Sequence, residues 1–420
     1  MSYLDDWRNL FTSWRSDLVA GVTVGIVALP LALGFALTTG APPSAGLSTA
    51  IIAGFIAAFF GGSNYQVSGP TGAMTVVLVP IVAKYGLTAL PALGITAGLI
   101  IITLSIFRLG RYIDRVPLAV MEGFTLGIAL IIALQQIPLI LGVQKAEGTH
   151  SVTVAIATLR NALKEDIHWI SIILAFSTLA LKRLWPRIKK ALRIKQHIPA
   201  SVVAVFTISL IAFATKIDTE RIGVLPRSLS FDFNLNFPDI PIAKFLYAAF
   251  VIAMLGAIES LLSARVADGL ARQEIDHEQP KHQPNKELFG QGLATIASVS
   301  AGGLPATGAI ARTSVNVHAG ARTRLASMVH AVFLLVVVLY LAPVVSQIPI
   351  AVLAGVLLGT SLRIANPRTV KEALQTTGSQ RLVYVATALS VLLIDLIWGV
   401  VIGLLINELA TKIEQKRKNR

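Results

Sequence analysis

Long apolar runs, broken by proline, glycine and clusters of charge, dominate the pattern along the chain. A helix needs about 20 mostly apolar residues to cross the hydrocarbon core of a bilayer. The runs predict fourteen transmembrane segments, near residues 18–38, 44–60, 70–84, 88–107, 117–142, 168–182, 199–215, 245–268, 287–301, 305–318, 323–341, 347–362, 381–397 and 398–414. The pattern is therefore typical of an all-α polytopic membrane protein.

Composition strengthens this assignment. Hydrophobic residues make up 54% of the chain and charged residues 14%, against roughly 25% charged in soluble domains. The absence of cysteine excludes a disulfide-stapled secreted domain. No Walker loop, nucleophile elbow or zinc-ligand spacing occurs in the sequence. We therefore expect no enzymatic activity, cofactor or metal.

The basic residues are distributed unevenly between the two sides of the membrane. With the N-terminus in the cytoplasm, 27 of the 36 Lys and Arg residues fall on the cytoplasmic side and 8 on the other, and Arg312 lies within an apolar segment. This asymmetry follows the positive-inside rule. It predicts an inner-membrane protein with both termini cytoplasmic and an even number of segments. Because topology accounts for the net charge of +14, we expect no nucleic-acid partner.

The sequence contains an internal repeat. VPLAVMEGFTLG (116–127) resembles IPIAVLAGVLLG (348–359), with six of eleven positions identical from Pro117 and Pro349 at an offset of 232. A second pair matches residues 71–73 to residues 307–309, both Thr-Gly-Ala, at an offset of 236. Both pairs are seven segments apart. Because seven is odd, the two copies cross the membrane in opposite directions, as in many secondary transporters.

The repeat sets the predicted domain boundaries. Residues 1–215 form the first inverted repeat and residues 245–414 the second. Residues 216–244 are the extracytoplasmic connection, and 415–420 are a cytoplasmic tail.

Two segments interrupted by glycine and proline, 68–73 and 302–309, occupy matching positions of the two halves. Each predicts extended backbone followed by a helix that starts at proline, Pro70 or Pro305, because proline suits the first helical position. The two helix N-termini would meet near the bilayer centre. Helix N-termini carry partial positive charge and free N–H groups, so we expect an anion site there.

Arg312 and Glu259 are charged residues within predicted segments, where charge is costly and by default functional. Arg312 lies seven residues after Pro305, about two turns into the predicted half-helix. Its guanidinium suits an oxyanion bidentately, or it forms a structural pair with Glu259. Glu259, with Ser263 one turn later on the same face, could carry a proton or bind sodium.

Several stretches together resemble one family. DLVAGVTVGIVALPLALGFA (17–36), GGSNYQVSGPTGAM, the stretch from ESLLSARVADG to NKELFGQGLA, and ARTSVNVHAGARTRLAS (311–327) are similar to the SulP family. This family comprises sulfate-permease-like anion transporters, including the solute carrier 26 proteins and prestin. The resemblance covers residues 10 to about 410.

The resemblance implies a uracil-permease-like fold of fourteen segments in two inverted repeats of seven. A core domain (segments 1–4 and 8–11) would move against a gate domain (segments 5–7 and 12–14) in an elevator motion. The implied substrate-binding residues are Phe35, Thr71, Gly72, Ala73, Ala309, Ala311, Arg312 and Thr313. Glu259 and Ser263 are the implied residues for a coupling ion.

These features predict a secondary active transporter of a small anion such as sulfate, bicarbonate or a small dicarboxylate. Sodium-coupled bicarbonate members look to have Asp at position 259 and lack Arg at 312, so proton coupling is favoured here. The alternatives are a sodium-coupled bicarbonate transporter, an anion channel and a non-transporting anion-binding membrane protein.

The expected partners are the anion, a proton or sodium ion, and membrane lipids, with a homodimer left open. SulP proteins usually continue into a STAS domain after the last segment, whereas this sequence ends at KIEQKRKNR. We therefore expect the STAS domain to be absent.

Overall fold

The structure is a computed structural model that describes residues 10–113, 116–148, 150–164, 167–193, 199–225, 240–274, 281–376, 378–394 and 396–418. In the first half its elements are α1 (Trp14–Thr39), α2 (Pro43–Phe60), β1 (Ser68–Gly69), α3 (Gly72–Tyr85), a 3₁₀ turn (Leu87–Ala89), α4 (Leu90–Ile106), α5 (Gly110–Ile113), α6 (Leu118–Gln135), α7 (Ile137–Leu141), α8 (Ser151–Ala162), α9 (Trp169–Ala191) and α10 (Ala200–Ala214). In the second half they are α11 (Ile242–Glu274), α12 (Pro284–Ser300), β2 (Thr307–Gly308), α13 (Ile310–His318), α14 (Leu325–Val345), α15 (Ile350–Ile364), α16 (Pro367–Gln375), α17 (Gly378–Leu393) and α18 (Leu396–Lys418).

Each of the fourteen predicted segments coincides with a helix. Among the described residues, eight helical stretches are long and apolar enough to cross a membrane. Three shorter apolar helices are α3, α10 and α17. Part of the predicted extracytoplasmic connection, residues 226–239, lies outside the described residues, as do the last two residues of the predicted tail.

Proline and glycine mark the ends of several helices. α2 begins at Pro43 and α12 at Pro284, where a residue without an N–H leaves no donor unpaired. α1 ends at Gly40, whose φ of 84° is readily adopted only by glycine. Its N–H bonds the carbonyls of the last helical turn and so satisfies acceptors that the helix itself leaves free.

The described residues group into two compact units. The first comprises those of 1–114 and 174–356, and the second those of 115–173 and 357–420. In the first unit α12 packs against α2 and α4, and α14 packs against α1 and α2. In the second, α17 packs against α6 and α18. The boundary crosses α9 and α15, so each of these helices contributes to both units.

The longer sequence repeat corresponds to one contact that occurs in both halves. A Cβ atom on Gly123 of α6 would lie 2.4 Å from the Tyr384 carbonyl oxygen and 2.9 Å from the Thr387 Cβ of α17. Its counterpart at the offset of 232, Gly355 of α15, would place a Cβ at 2.4 Å from a carbonyl oxygen and 3.0 Å from the Cβ of Thr178, both on α9. Glycine at both positions therefore allows a backbone-to-backbone helix contact.

We predict that Gly123→Ala and Gly355→Ala each destabilise the protein by about 1–3 kcal/mol, because the added methyl group must displace a helix backbone. Thermal denaturation of the detergent-solubilised protein, followed by size-exclusion chromatography, measures the effect. Gly269→Ala in α11 is the matched control, since its methyl group meets nothing within 4 Å. Equal melting temperatures for all four proteins would contradict the proposed contact.

Candidate functional site

The two interrupted segments meet at a short antiparallel strand pair in the first unit. Ser68 of β1 lies opposite Gly308 of β2, and Gly69 lies opposite Thr307. α3 follows β1 and α13 follows β2, so the two short helices leave the pair in opposite directions with their N-termini close together. This is the arrangement that the sequence predicted for an anion site between two half-helices.

The helices do not start at the prolines, and this part of the sequence prediction is wrong. α3 begins at Gly72, two residues after Pro70, and α13 begins at Ile310, five residues after Pro305. Arg312 therefore lies in the first turn of α13 and not two turns into it. This places the guanidinium beside the N-terminus of its own helix.

Hydrogen bonds from outside α13 keep the residues after Pro305 extended. The Ala306 carbonyl accepts from the Gln291 Nε2 of α12 at 2.8 Å. The Ala309 N–H donates to the Val67 carbonyl at 2.9 Å. Because these groups bond to other segments, they are not available for the first turn of a helix. Such irregular backbone is tolerated at membrane depth only where the protein satisfies it or a cavity adjoins it.

The two helix starts are capped differently. The Thr71 hydroxyl accepts from the Met74 N–H at 3.2 Å, a side-chain cap on α3. The residue at the same place before α13 is Ala309, which has no side chain to cap with. The N–H groups of the first turn of α13 therefore keep their capacity to bind an anion.

Arg312 is 1% exposed and reaches across to the other half of the site. Its Nη2 donates to the Pro70 carbonyl at 2.9 Å, whereas its Nη1 has no hydrogen-bond partner among the described residues. It forms no ion pair with Glu259 in the described part of the chain, although the sequence made Glu259 the leading candidate for such a pair. A buried guanidinium with an unused donor is costly, and an anion would satisfy it.

Gly69 makes room for this guanidinium. Its φ is +150°, which side-chain-bearing residues rarely adopt, and a Cβ there would lie 2.6 Å from Arg312 Nη1. The absence of a side chain at Gly69 thus allows the guanidinium to lie here.

Glu259 of α11 joins the two halves through two threonines. Its Oε2 accepts from the Thr71 hydroxyl at 2.9 Å and from the Thr307 hydroxyl at 2.5 Å, and the two hydroxyl oxygens are 3.0 Å apart. The three oxygens form a triangle. Hydroxyl hydrogens rotate to suit their partners, so the triangle can be satisfied with Glu259 either ionised or protonated.

Ser263 and Thr313 bond to each other and not to Glu259. Their hydroxyl oxygens are 3.0 Å apart, and the Thr313 hydroxyl also accepts from the Val67 N–H at 3.0 Å. Both side chains are fully buried. In this structure they tie α11, α13 and the segment before β1 together.

The remaining predicted residues border the two helix starts or lie on α1. Gly72 and Ala73 are the first two residues of α3, and Ala311 is the second residue of α13 and partly buried. Phe35 is buried in α1, a helix that packs against α3 and α13.

Three residues were not predicted as part of the site. Thr307 bonds Glu259 directly, and its match to Thr71 in the sequence repeat was the signal that could have identified it. Gln291 accepts from the Ser68 hydroxyl at 2.8 Å, and Ser260 accepts from the Gly308 N–H at 3.0 Å. Nothing in the sequence distinguishes these two from other polar residues in helices.

Residues 14–387 match the sequence profile of the sulfate permease family. The chain belongs to this family. It is 35% identical over 401 residues to the Bacillus subtilis protein named "Putative sulfate transporter YvdB", covering 94% of this chain and 72% of the relative. It is 33% identical over 416 residues to the bicarbonate transporter BicA of Picosynechococcus, covering 96% of this chain and 70% of the relative.

Solved structures agree with this placement. The transmembrane domain of a cyanobacterial bicarbonate transporter BicA matches with a TM-score of 0.80 at 32% identity, over 94% of this chain and 98% of that one. The murine solute carrier 26 member A9 anion transporter shares the fold, with a TM-score of 0.80 at 18% identity. The match covers 95% of this chain and 68% of that one. The predicted class, an all-α membrane protein of two inverted seven-segment repeats, is confirmed. The exact number of crossings stays a prediction.

We predict that Gly69→Ala lowers anion affinity about tenfold or more, because it displaces the guanidinium of Arg312 and loses a charge-assisted hydrogen bond. Gly256→Ala is the control, since its methyl group would meet the flexible end of Ile101 at 3.2 Å and would make only ordinary van der Waals contacts with the Ala306 carbonyl oxygen at 3.9 Å and the Thr307 Cγ2 at 4.0 Å. Titration of purified protein with sulfate and bicarbonate, followed by calorimetry, measures both variants. Unchanged affinity in Gly69→Ala would show that Arg312 does not bind the anion.

Proposed function

We propose that this chain is a secondary active transporter of a small inorganic oxyanion, sulfate or bicarbonate, which binds between the N-termini of α3 and α13. The observation that carries this proposal is the buried Arg312 Nη1, which has no partner among the residues that the structure describes and lies beside the uncapped start of α13. A guanidinium and first-turn N–H groups are both donors that favour an oxyanion. A neutral substrate would leave the cation unpaired at a site where charge is costly.

Sulfate and bicarbonate stay equally supported. The relative whose name gives sulfate as its substrate is 35% identical to this chain, and the relative whose name gives bicarbonate is 33% identical. This difference is too small to choose between the two anions. Donors of the kind found at the site suit either oxyanion. A small dicarboxylate also presents an oxyanion at each end, and it belongs in the same panel of substrates.

Glu259 is proposed to couple transport to a proton. Its oxygen triangle with Thr71 and Thr307 can be satisfied in both protonation states, which a proton carrier requires. Glu259 also bonds the N-cap residue of α3 and the strand that precedes α13, so a change in its protonation reaches both sides of the anion site. Sodium would need further oxygen ligands around this carboxylate.

The proposed movement is an elevator, with the core segments 1–4 and 8–11 carrying the site past the gate segments 5–7 and 12–14. All of the predicted core segments lie in the first compact unit, which supports their moving together. That unit also contains α10 and most of α9, which the prediction assigned to the gate. The proposed location is the inner membrane, with both termini in the cytoplasm.

In proteoliposomes we predict saturable uptake of labelled sulfate or bicarbonate by the wild-type protein. Arg312→Ala should raise the anion concentration for half-maximal uptake about 10- to 100-fold, because a charge-assisted hydrogen bond in a buried site is lost. Arg312→Lys should retain part of the affinity, because it keeps the charge but not the planar fork. Fumarate and chloride complete the panel of anions.

Arg272→Gln removes an exposed positive charge away from the site and is the control, expected to transport like wild type. Conductance without saturation would instead identify an anion channel. Absence of uptake with binding intact would identify a non-transporting binding protein.

We predict that Glu259→Gln abolishes the stimulation of uptake by an inward proton gradient but preserves anion binding. The amide oxygen can still accept from both threonines, whereas the side chain cannot exchange a proton. Uptake of the preferred anion at several external pH values, with and without a sodium gradient, measures the effect. Proton stimulation that persists in the variant would place the coupling residue elsewhere. Stimulation of the wild type by sodium alone would favour a sodium-coupled transporter.

A further inference from the structure

A lateral groove separate from the anion site lies in the first unit. α1, α10 and α14 enclose a volume of about 640 Å³, within the range of pockets that hold small organic ligands. Its walls are almost wholly apolar, with Leu29 from α1, Leu210 from α10 and Leu341 from α14 among the lining residues. Leu210 and Leu341 are about half exposed, so the groove opens sideways.

Apolar walls alone do not select a ligand within a bilayer, because lipid tails and side chains are equally apolar there. A ligand is specified only by a polar feature at a fixed place along the groove. The structure provides one at the end where α10 finishes.

The backbone positions Arg221 at that end. The Ile222 N–H donates to the Ile348 carbonyl at 3.0 Å, and the Ile350 N–H donates to the Glu220 carbonyl at 3.0 Å. Ile348 lines the groove. These two bonds on either side of Arg221 fix its position beside the groove end.

The Arg221 side chain contacts two lining residues of the groove. Its Nη1 donates to the Gln347 Oε1 at 2.8 Å, and its guanidinium carbon lies 5.9 Å from the centre of the Phe213 ring. Arg221 forms no ion pair within the described chain. The guanidinium is thus held over the groove end with donors to spare, and such a fork matches a phosphate group.

Nearby charges do not create a general attraction for anions. Lys216 and Arg221 are balanced by Asp218 and Glu220 in the same connection. Selection at this place therefore depends on short-range hydrogen bonds from the guanidinium. The ligand that combines a phosphate with an apolar chain, at the boundary of the hydrocarbon, is a phospholipid.

We infer that the groove binds one phospholipid, with an acyl chain along the walls and its phosphate on Arg221. The lining residues of α10 run from Val202 to Phe213, about 16 Å along the helix, so the groove takes most of an acyl chain. The lipid lies against α1, the helix that also carries Phe35.

Native mass spectrometry of the detergent-purified protein tests this inference. Phosphatidylethanolamine and diacylglycerol with identical chains are added separately, and the retained lipid is counted. We expect wild-type protein to retain the phospholipid in preference to diacylglycerol. Arg221→Gln should lower phospholipid retention about tenfold, to the level of diacylglycerol. Ser209→Phe and Leu341→Trp, which fill the groove from two helices, should lower retention of both lipids.

Lys216→Gln and Leu339→Phe are the matched controls, because the first removes a neighbouring charge and the second adds a ring to α14 outside the groove lining. Both should retain phospholipid like wild type. Wild-type retention in Arg221→Gln, or an equal loss in Lys216→Gln, would overturn the role of Arg221. If the groove-filling variants keep their lipid but lose dimerisation, the groove holds a second copy of the chain, and the inference is wrong.

Discussion

Backbone that leaves regular secondary structure inside a membrane protein must have its polar groups satisfied by the protein or by a ligand. The chain does so at two places, before α3 and before α13. The two breaks satisfy each other through the β1–β2 pair. Side chains complete the arrangement, with Gln291 bonding the Ala306 carbonyl and Ser260 bonding the Gly308 N–H. Among the described residues, Arg312 Nη1 beside these breaks has no hydrogen-bond partner, and the start of α13 has no side-chain cap.

The internal repeat gives the two halves equivalent contacts, and the differences between its two copies determine which groups are available to bind an anion. Gly123 and Gly355 make equivalent contacts in the two halves, and Thr71 and Thr307 both bond Glu259. The helix starts differ. Thr71 caps α3, whereas Ala309 leaves α13 uncapped. Three residues after Thr71 lies Met74, and three residues after Ala309 lies Arg312, so the proposed anion site has one strongly positive side.

Much of this could be predicted from the sequence because its physical causes are local or periodic. Apolar runs determine the segments, and an odd number of segments between repeat copies determines their inversion. An arginine within an apolar segment indicates an anion on energetic grounds alone. These predictions needed no knowledge of contacts between distant residues.

The contacts that could not be predicted from the sequence are tertiary hydrogen bonds. The sequence at Pro305 is typical of a helix start. Hydrogen bonds with Gln291 and Val67 nevertheless keep the following residues extended. The sequence left open whether Arg312 binds an oxyanion or pairs with Glu259, and it did not indicate the bond from Arg312 to the Pro70 carbonyl. Ser263 shares a helix face with Glu259 but bonds Thr313. In each case the partner is far away in sequence, and local pattern carries no information about it.

Anomalous diffraction from crystals grown with selenate or with bromide tests directly whether an anion binds between Arg312 and the start of α13. We expect a peak within hydrogen-bond distance of Arg312 Nη1 and of the first N–H groups of α13. A peak elsewhere in the protein, or an occupied crystal in which Arg312 pairs with Glu259 instead, would contradict it.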